Sequence, residues 1–361
     1  MFNLVSNSIF RKVFFSLVNK RNFYLTTKAF EKRYKNVDKI LFKNNLNDSI
    51  INNYKEKWSV FNVEVEYKTL ILCHNLSECI DINIVPENIF AEIIEPSLNK
   101  YGKNQLSFLS TKNIYEKWFE NKKLFPKSYF HKIDNIYYDN NFIIINDIDS
   151  YLNNMNFKFP VVCKPSIGTS GGVGVVLLHN LKEVKGSLST YENLVYQEKL
   201  LQHEFLESIN PGMNTIRTCL YRDSTGKFKV INNSIRFGVD GGLDNETGGG
   251  IVCNLDDNGS FNKYAINKYC EKFIMHPNSK VSFLGLKIPF FNRLIEVAES
   301  IANEIPLCNL VSLDMCLDKD NNWRCIEVNL EGQTIRFSQY AGKGFFGKYT
   351  NEVIKRILNK K

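Results

Sequence analysis

The chain has 361 residues, of which 43% are apolar and 23% charged, and a formal net charge of +8. That length supports about two or three lobes with cores of their own, and the composition excludes a globally disordered or collagen-like chain. The charge is uneven: residues 1–45 hold ten basic and two acidic groups, and the remainder is neutral.

In chain order, residues 4–58 read mainly as helix. Ile9, Phe10, Val13, Phe14, Leu17 and Val18 make one stripe at helical spacing, with Arg11, Lys12, Ser16 and Asn19 off it. The expectation is a helix docked on its own protein; a membrane-surface helix and an organellar transit peptide are the alternatives. A basic stretch over 1–45 on a neutral body suits peripheral contact with an anionic surface such as lipid headgroups, and equally a solvated helical face. Arg11 and Lys12 interrupt the apolar run, unlike a secretory signal. No run of about 20 apolar residues exists, so no membrane-spanning helix is expected.

Residues 63–108 are mixed, with apolar runs at 69–73 and 82–85 punctuated by Pro86, Pro96 and Gly102. A helix is predicted from Ser110 or Thr111, with Ile114, Tyr115 and Trp118 on its apolar side, ending before Pro126. Strands are predicted at 142–146, 159–164 and 173–178. Helix and strand signals then alternate up to two clear strands at 310–317 and 323–330, and 350–358 reads as a short amphipathic helix. Antiparallel hairpins mixed with helices predict an α+β fold rather than a doubly wound sheet.

Two constellations carry chemistry. The first is Lys164-Pro165-Ser166-Ile167-Gly168-Thr169-Ser170-Gly171-Gly172-Val173-Gly174 between two strands. Glycines let backbone N–H groups curl round phosphate oxygens, Ser and Thr add short donors, and Lys164 supplies a point charge. No Lys-Ser or Lys-Thr follows the glycines, so this is not a Walker loop, and Leu177 breaks a dinucleotide fingerprint. A plain mobile loop is the competing reading.

The second constellation is a hairpin. Asp314 lies in one apolar strand, Glu327 and Asn329 in the next, and Asp318-Lys319-Asp320-Asn321-Asn322 between them is turn chemistry. If Asp318 pairs with Trp323 across a four-residue loop, Met315 faces Ile326, Leu313 faces Val328 and Val311 faces Leu330 on one face. Asp314 then lies opposite Glu327, with Asn329 two residues along. Close carboxylates repel unless a cation sits between them, and Mg²⁺ prefers such hard oxygen ligands together with substrate phosphates. Two solvated carboxylates on an exposed face are the alternative. The nine scattered cysteines contain no CxxC pair and fit a reducing, cytosolic compartment.

Taken together these residues resemble the ATP-grasp superfamily, and the C-terminal part resembles its sugar-transfer-associated family, over about residues 80–350. Lys112 in Ser110-Thr111-Lys112-Asn113 matches the first lysine of that pattern, and Lys164-Pro165 the second. Tyr196-Gln197-Glu198-Lys199-Leu200 looks like the adenine-reading hinge, and Asp314, Glu327 and Asn329 match the metal set. Asn214-Thr215-Ile216-Arg217, Arg236-Phe237-Gly238, Asp244-Asn245 and Gly248-Gly249-Gly250-Ile251 resemble the sugar-transfer-associated group. The ribose ligand is left open among Gln202, His203 and Glu204. Ser312 stands where some relatives carry Arg, which leaves Arg217 and Arg236 as the phosphate-neutralising, catalytic candidates.

The resemblance implies an ATP-grasp fold, two α+β lobes clamping ATP, behind a helical N-terminal region. The regions are 1–108, then a smaller lobe at 109–200 and a larger lobe at 201–361. ATP and Mg²⁺ are the implied cofactors. Lys112, Lys164, Gly168, Thr169, Ser170, Gly171, Gly172, Gln197, Glu198, Lys199 and Leu200 would hold the nucleotide. Carboxylate–amine ligation through an acyl phosphate, on a surface-polysaccharide or cell-envelope precursor, is the implied reaction. A phosphotransferase acting on a sugar or alcohol and a non-catalytic scaffold on membrane or anionic glycan are the rivals. The implied place is the cytoplasm, at the inner face of the membrane if residues 1–45 bind it. No nucleic-acid reader motif is present.

Overall fold

A computed structural model describes residues 8–101, 105–168, 172–242, 244 and 248–359, with side chains from residue 21 onward. It divides into two units, Met1–Leu98 with Gly332–Lys361, and Asn99–Glu331.

Strand alternation builds two antiparallel sheets in the Asn99–Glu331 unit. Strands β1 (Ser128–Ile133), β2 (Ile136–Asp139), β3 (Val161–Pro165), β4 (Val176–Leu178) and β5 (Leu194–Glu198) form a five-stranded sheet in the order β2-β1-β5-β3-β4. Its core joins Phe130, Val161, Cys163 and Tyr196 to Leu152 and Val184 from the helices Ile148–Asn154 and Leu181–Ser187. Strands β6 (Thr215–Arg222), β7 (Phe228–Phe237), β8 (Ile251–Leu255), β9 (Phe261–Ile266), β10 (Lys272–Phe273), β11 (Leu310–Leu317) and β12 (Trp323–Asn329) form a seven-stranded sheet in the order β10-β9-β8-β7-β6-β11-β12. The helix Phe291–Asn303 buries Leu294, Val297, Ala298 and Ile301 in the core of that sheet. Those positions recur at helical spacing, and each large apolar one contributes about 2 kcal/mol by leaving water. The expected α+β class holds. The five-stranded sheet falls within 109–200 and the seven-stranded sheet within 201–361, while residues 332–361 cluster with 1–98.

The other unit is helical. It contains Ser8–Arg33, Asp48–Ser59, Lys68–Ser77 and Thr350–Leu358, and a helix over 87–98 that widens to a π turn at Phe90–Ile94. Asn47 caps the second of these by accepting from the Ile50 N–H at 2.9 Å. The run at 69–73 therefore lies in a helix. The side chains of the Ile9–Val18 stripe lie outside the described residues. Among the described residues, no helix is long and apolar enough to cross a membrane.

Three expected elements differ. The helix from Ser110 is reduced to the turns Ser107–Ser110, Tyr115–Trp118 and Lys122–Leu124. The segment is engaged elsewhere: the Lys112 backbone N–H donates to Ser166 O at 3.1 Å, and the Asn113 side-chain Nδ2 donates to Leu194 O at 3.1 Å. The strand at 142–146 gives way to a turn, because the Asp139 carboxylate accepts from the N–H groups of Asn141 and Ile143, each at 2.8 Å. The strand expected at 173–178 shortens to Val176–Leu178.

Candidate functional site

One row of charge crosses the seven-stranded sheet. Arg217 of β6 pairs with Asp314 of β11, and Asp314 with Glu327 of β12, as directly opposed residues whose side chains share a face. Their neighbours Ile216, Leu313 and Val328 turn to the other face and enter the apolar core. Alternation along three strands thus lines up acid, acid and guanidinium.

The hairpin register combines the expected pairs with an irregularity. Leu313 faces Val328 and Asp314 faces Glu327, as the pattern predicts. Nearer the turn, however, Leu317 pairs with Trp323 and Met315 with Cys325, not with Ile326. The loop is one residue longer than expected, and a bulge between the two stretches restores the register at the carboxylates. Ile326, the extra residue, lines the cavity beside Glu327.

That cavity encloses about 590 Å³ within the Asn99–Glu331 unit. Lys112, Lys164, Gly172, Gln197, Glu198, Lys199, Leu200, Arg217, Arg236, Asp314 and Glu327 all line it. Residues from both sheets therefore meet in one space. Gly168 and Asn329 do not line it, and Thr169, Ser170 and Gly171 lie outside the described residues. Gly168, Gly172 and Gly174 adopt φ of +73°, +77° and +78°, the left-handed region that glycine tolerates. A Cβ on Gly174 would also sit 2.7 Å from Pro165, so this turn excludes a side chain.

Each carboxylate is matched by a protein cation. Arg217 grips Asp314 with two parallel hydrogen bonds of 2.5 and 2.9 Å, and Arg236 reaches the same carboxylate at 2.9 Å. Burial raises the Asp314 carboxyl, but the two guanidinium groups outweigh it and hold it at about 2. Glu327 accepts from the Lys112 ammonium at 2.9 Å. The Lys164 amine has no ion pair or hydrogen-bond partner among the described residues. Burial, and then the charge of Lys112, bring it down to about 8. An anion between the two lysines would relieve both effects.

In the expected hinge segment the two polar side chains are engaged within the protein. The Gln197 amide is buried and donates to Pro126 O and Ser128 Oγ, each at 3.3 Å. Glu198 Oε1 accepts from Lys127 N–H and from Arg324 Nη2, each at 3.0 Å. Both side chains are engaged by other segments of the protein. Of the three open ribose candidates only Gln202 lines the cavity; the His203 ring caps the helix Glu204–Ile209 by accepting from Phe205 N–H at 3.0 Å.

Further residues of the cavity wall received no individual role from the sequence. Thr215 accepts from Arg236 at 2.6 Å and gives its own hydroxyl and N–H to Asp244. Burial is the main cause that raises the Asp244 carboxyl. Glu207 lines the cavity as well, and its position on the helix after the hinge was the available signal.

A divalent cation suits this wall. Asp314 and Glu327 are opposed hard oxygen donors, and the buried Asn329 Nδ2 has no hydrogen-bond partner among the described residues. A half-turn of that amide would offer an oxygen instead. No group of three His, Cys, Asp or Glu side chains suited to a metal occurs among the described residues. Two carboxylates and an amide form a smaller set that depends on ligand oxygens to complete it.

The family described as sugar-transfer associated ATP-grasp matches residues 95–354. Among curated proteins, none matches the sequence. Solved structures of similar fold include an L-amino acid ligase from Bacillus licheniformis, with 14% identity over 73% of this chain and 55% of that one and a TM-score of 0.43. A biotin carboxylase from Campylobacter jejuni has 14% identity over 70% and 46%, with a TM-score of 0.40. An N5-carboxyaminoimidazole ribonucleotide synthetase from Thermotoga maritima has 12% identity over 68% and 54%, with a TM-score of 0.36. The chain spans about half the length of these solved chains.

Proposed function

The chain belongs to the sugar-transfer associated ATP-grasp family, and from that membership we propose an ATP- and Mg²⁺-dependent carboxylate–amine ligase. One observation carries the reading: two lysines, one of them unpartnered, and two opposed carboxylates line a single cavity. The cations suit phosphates, and the acids suit the metal that accompanies them.

Bound ATP would supply the phosphoryl group, and Mg²⁺ would neutralise charge on the phosphate oxygens. Lys112 and Lys164 would hold phosphate, with Gly172 on the same cavity wall. Asp314 and Glu327, with Asn329 two residues along the same strand, would hold the metal. Backbone at 198–200 reads the base edge. Arg217 and Arg236, paired to Asp314 on the cavity wall, would stabilise the negative charge that builds on the transferring phosphoryl group and the leaving ADP as the acceptor carboxylate attacks. The acyl phosphate so formed is attacked by an amine, and an amide, ADP and phosphate result.

The substrate class is a surface-polysaccharide or cell-envelope precursor bearing a carboxylate or an amino sugar, an assignment that rests on the family alone. ADP release in the presence of paired carboxylates and amino sugars tests it. Release that needs both partners supports ligation. Release with a hydroxyl acceptor and no amine points to phosphotransfer and sinks the ligase reading.

We further propose that residues 1–45 make peripheral contact with the inner face of the membrane. Arg21, Lys32, Lys35 and Lys39 are exposed near Tyr24, Leu25 and Ile40, which are 60%, 51% and 66% exposed. Charge reversal at the last three basic positions should abolish co-sedimentation with phosphatidylglycerol vesicles. Unchanged sedimentation would discard the contact.

A further inference from the structure

Arg324 sits in β12 opposite Cys316, three residues before Glu327, in a strand otherwise rich in apolar residues. Its side chain is 16% exposed. Nη2 donates to Phe125 O at 2.7 Å and to Glu198 Oε1 at 3.0 Å, and Nη1 donates to Asp318 Oδ2 at 3.3 Å. Nε has no partner among the described residues. Removing a guanidinium from water is costly, and it is offset here by three acceptors on three separate segments. A planar fork reaches them together, whereas a single ammonium does not.

Those segments share one consequence. Phe125 lies in the approach to β1, and Lys127 N–H from the same approach donates to the Glu198 oxygen that Arg324 holds. Asp318 opens the β11–β12 turn, where its Oδ1 accepts from Asp320 and Asn322 N–H at 3.0 and 2.8 Å. Glu198 is the last residue of β5, where the chain leaves the five-stranded sheet. The backbone is next fixed by Lys319 N–H to Leu201 O at 2.8 Å and by His203 N–H to Leu317 O at 2.9 Å. Lys199 and Leu200 therefore span two anchors, one of which is the Arg324–Glu198 pair. Because that pair engages the Glu198 carboxylate, a base in the cavity meets the backbone of this span, and its fit depends on where the anchor holds it.

We propose that Arg324 is a positioning residue for base recognition, setting the backbone of 198–200 by clamping Glu198 to Phe125 and to the turn at Asp318. The inference rests on the nucleotide site proposed above. It gives one strand two tasks: Glu327 of β12 meets Lys112 at the phosphate end, and Arg324 of β12 meets Glu198 at the base end.

Calorimetry with two probes, Mg·ATP and Mg·tripolyphosphate, separates this role from general damage, because only ATP presents a base. Arg324→Ala should weaken ATP about tenfold, as expected when a hydrogen bond to the base is lost, and leave tripolyphosphate within about twofold. Glu198→Gln keeps an oxygen for both N–H donors and should lose less. Arg324→Lys restores the charge at one point only and should recover part of the ATP affinity if Arg324→Ala proves poorly folded. Unchanged ATP affinity in Arg324→Ala, or equal losses for both probes across the variants, overturns the proposal. A wild-type chain that binds neither probe overturns the nucleotide site itself, and that result is visible before any variant is made.

Discussion

Asp314 faces Glu327 across β11 and β12 because Ile326 bulges out of the ladder and absorbs the extra residue of the turn. The bulge also sets two consecutive residues, Ile326 and Glu327, on the cavity wall. Ile326 thus offers an apolar surface beside the acid. Ile326→Ala should weaken ATP binding about three- to tenfold through lost apolar contact while leaving the response to Mg²⁺ intact. Titration of ATP at two Mg²⁺ concentrations checks this, and a variant that loses the Mg²⁺ response would show that the bulge serves the carboxylates instead.

Asp314 is the electrostatic centre of the cavity floor. Its carboxyl lies at about 2, below the ordinary 3.8. A group lower in the folded state stabilises fully above the unfolded value and loses that contribution as pH falls through the folded one. The contribution should therefore be complete above about pH 4 and fade toward pH 2. Asp314→Asn leaves Arg217 and Arg236 facing an amide and should cost about 3–5 kcal/mol at pH 7. Urea unfolding at pH 7 and pH 3 measures both effects. A loss below about 1 kcal/mol would mean that solvent compensates the two arginines.

Lys164 gives a pH dependence of the same sign in a higher window. Its amine lies at about 8 against an ordinary 10.5, first through burial and then through Lys112. Between about pH 8 and 10.5 the unfolded chain binds more protons at this site, so stability from this group rises with pH there and is flat below 8. Lys164→Met should remove that rise. At about pH 8.5 phosphate binding should draw a proton onto the amine, visible as a binding enthalpy that depends on the buffer. A buffer-independent enthalpy in the wild type would place the phosphates elsewhere.

Much of the hairpin was legible because each strand alternates cleanly between core and cavity: Leu313 and Val328 on one face, Asp314 and Glu327 on the other. The helix Thr350–Leu358 was legible for the same reason, with Val353, Ile354 and Ile357 buried at helical spacing. The bulge was not, since a one-residue slip near a polar turn leaves no mark in the alternation. The helix expected after Ser110 failed because Ser166 O takes the Lys112 N–H, a contact 54 residues away in sequence. The same contact brings Lys112 toward the glycine loop. Arg324 escaped notice, and Thr215 was read only as part of a family-like segment, because their partners lie on other segments. A charge inside an apolar strand was the only local sign of Arg324.

The most direct test of the central claim is calorimetry of ATP binding with and without Mg²⁺, comparing wild type with Glu327→Gln. The account predicts that Mg²⁺ tightens binding by about tenfold or more in the wild type and that the substitution removes most of that gain. A wild type that binds no ATP, or a Glu327→Gln variant that responds to Mg²⁺ as the wild type does, would contradict it.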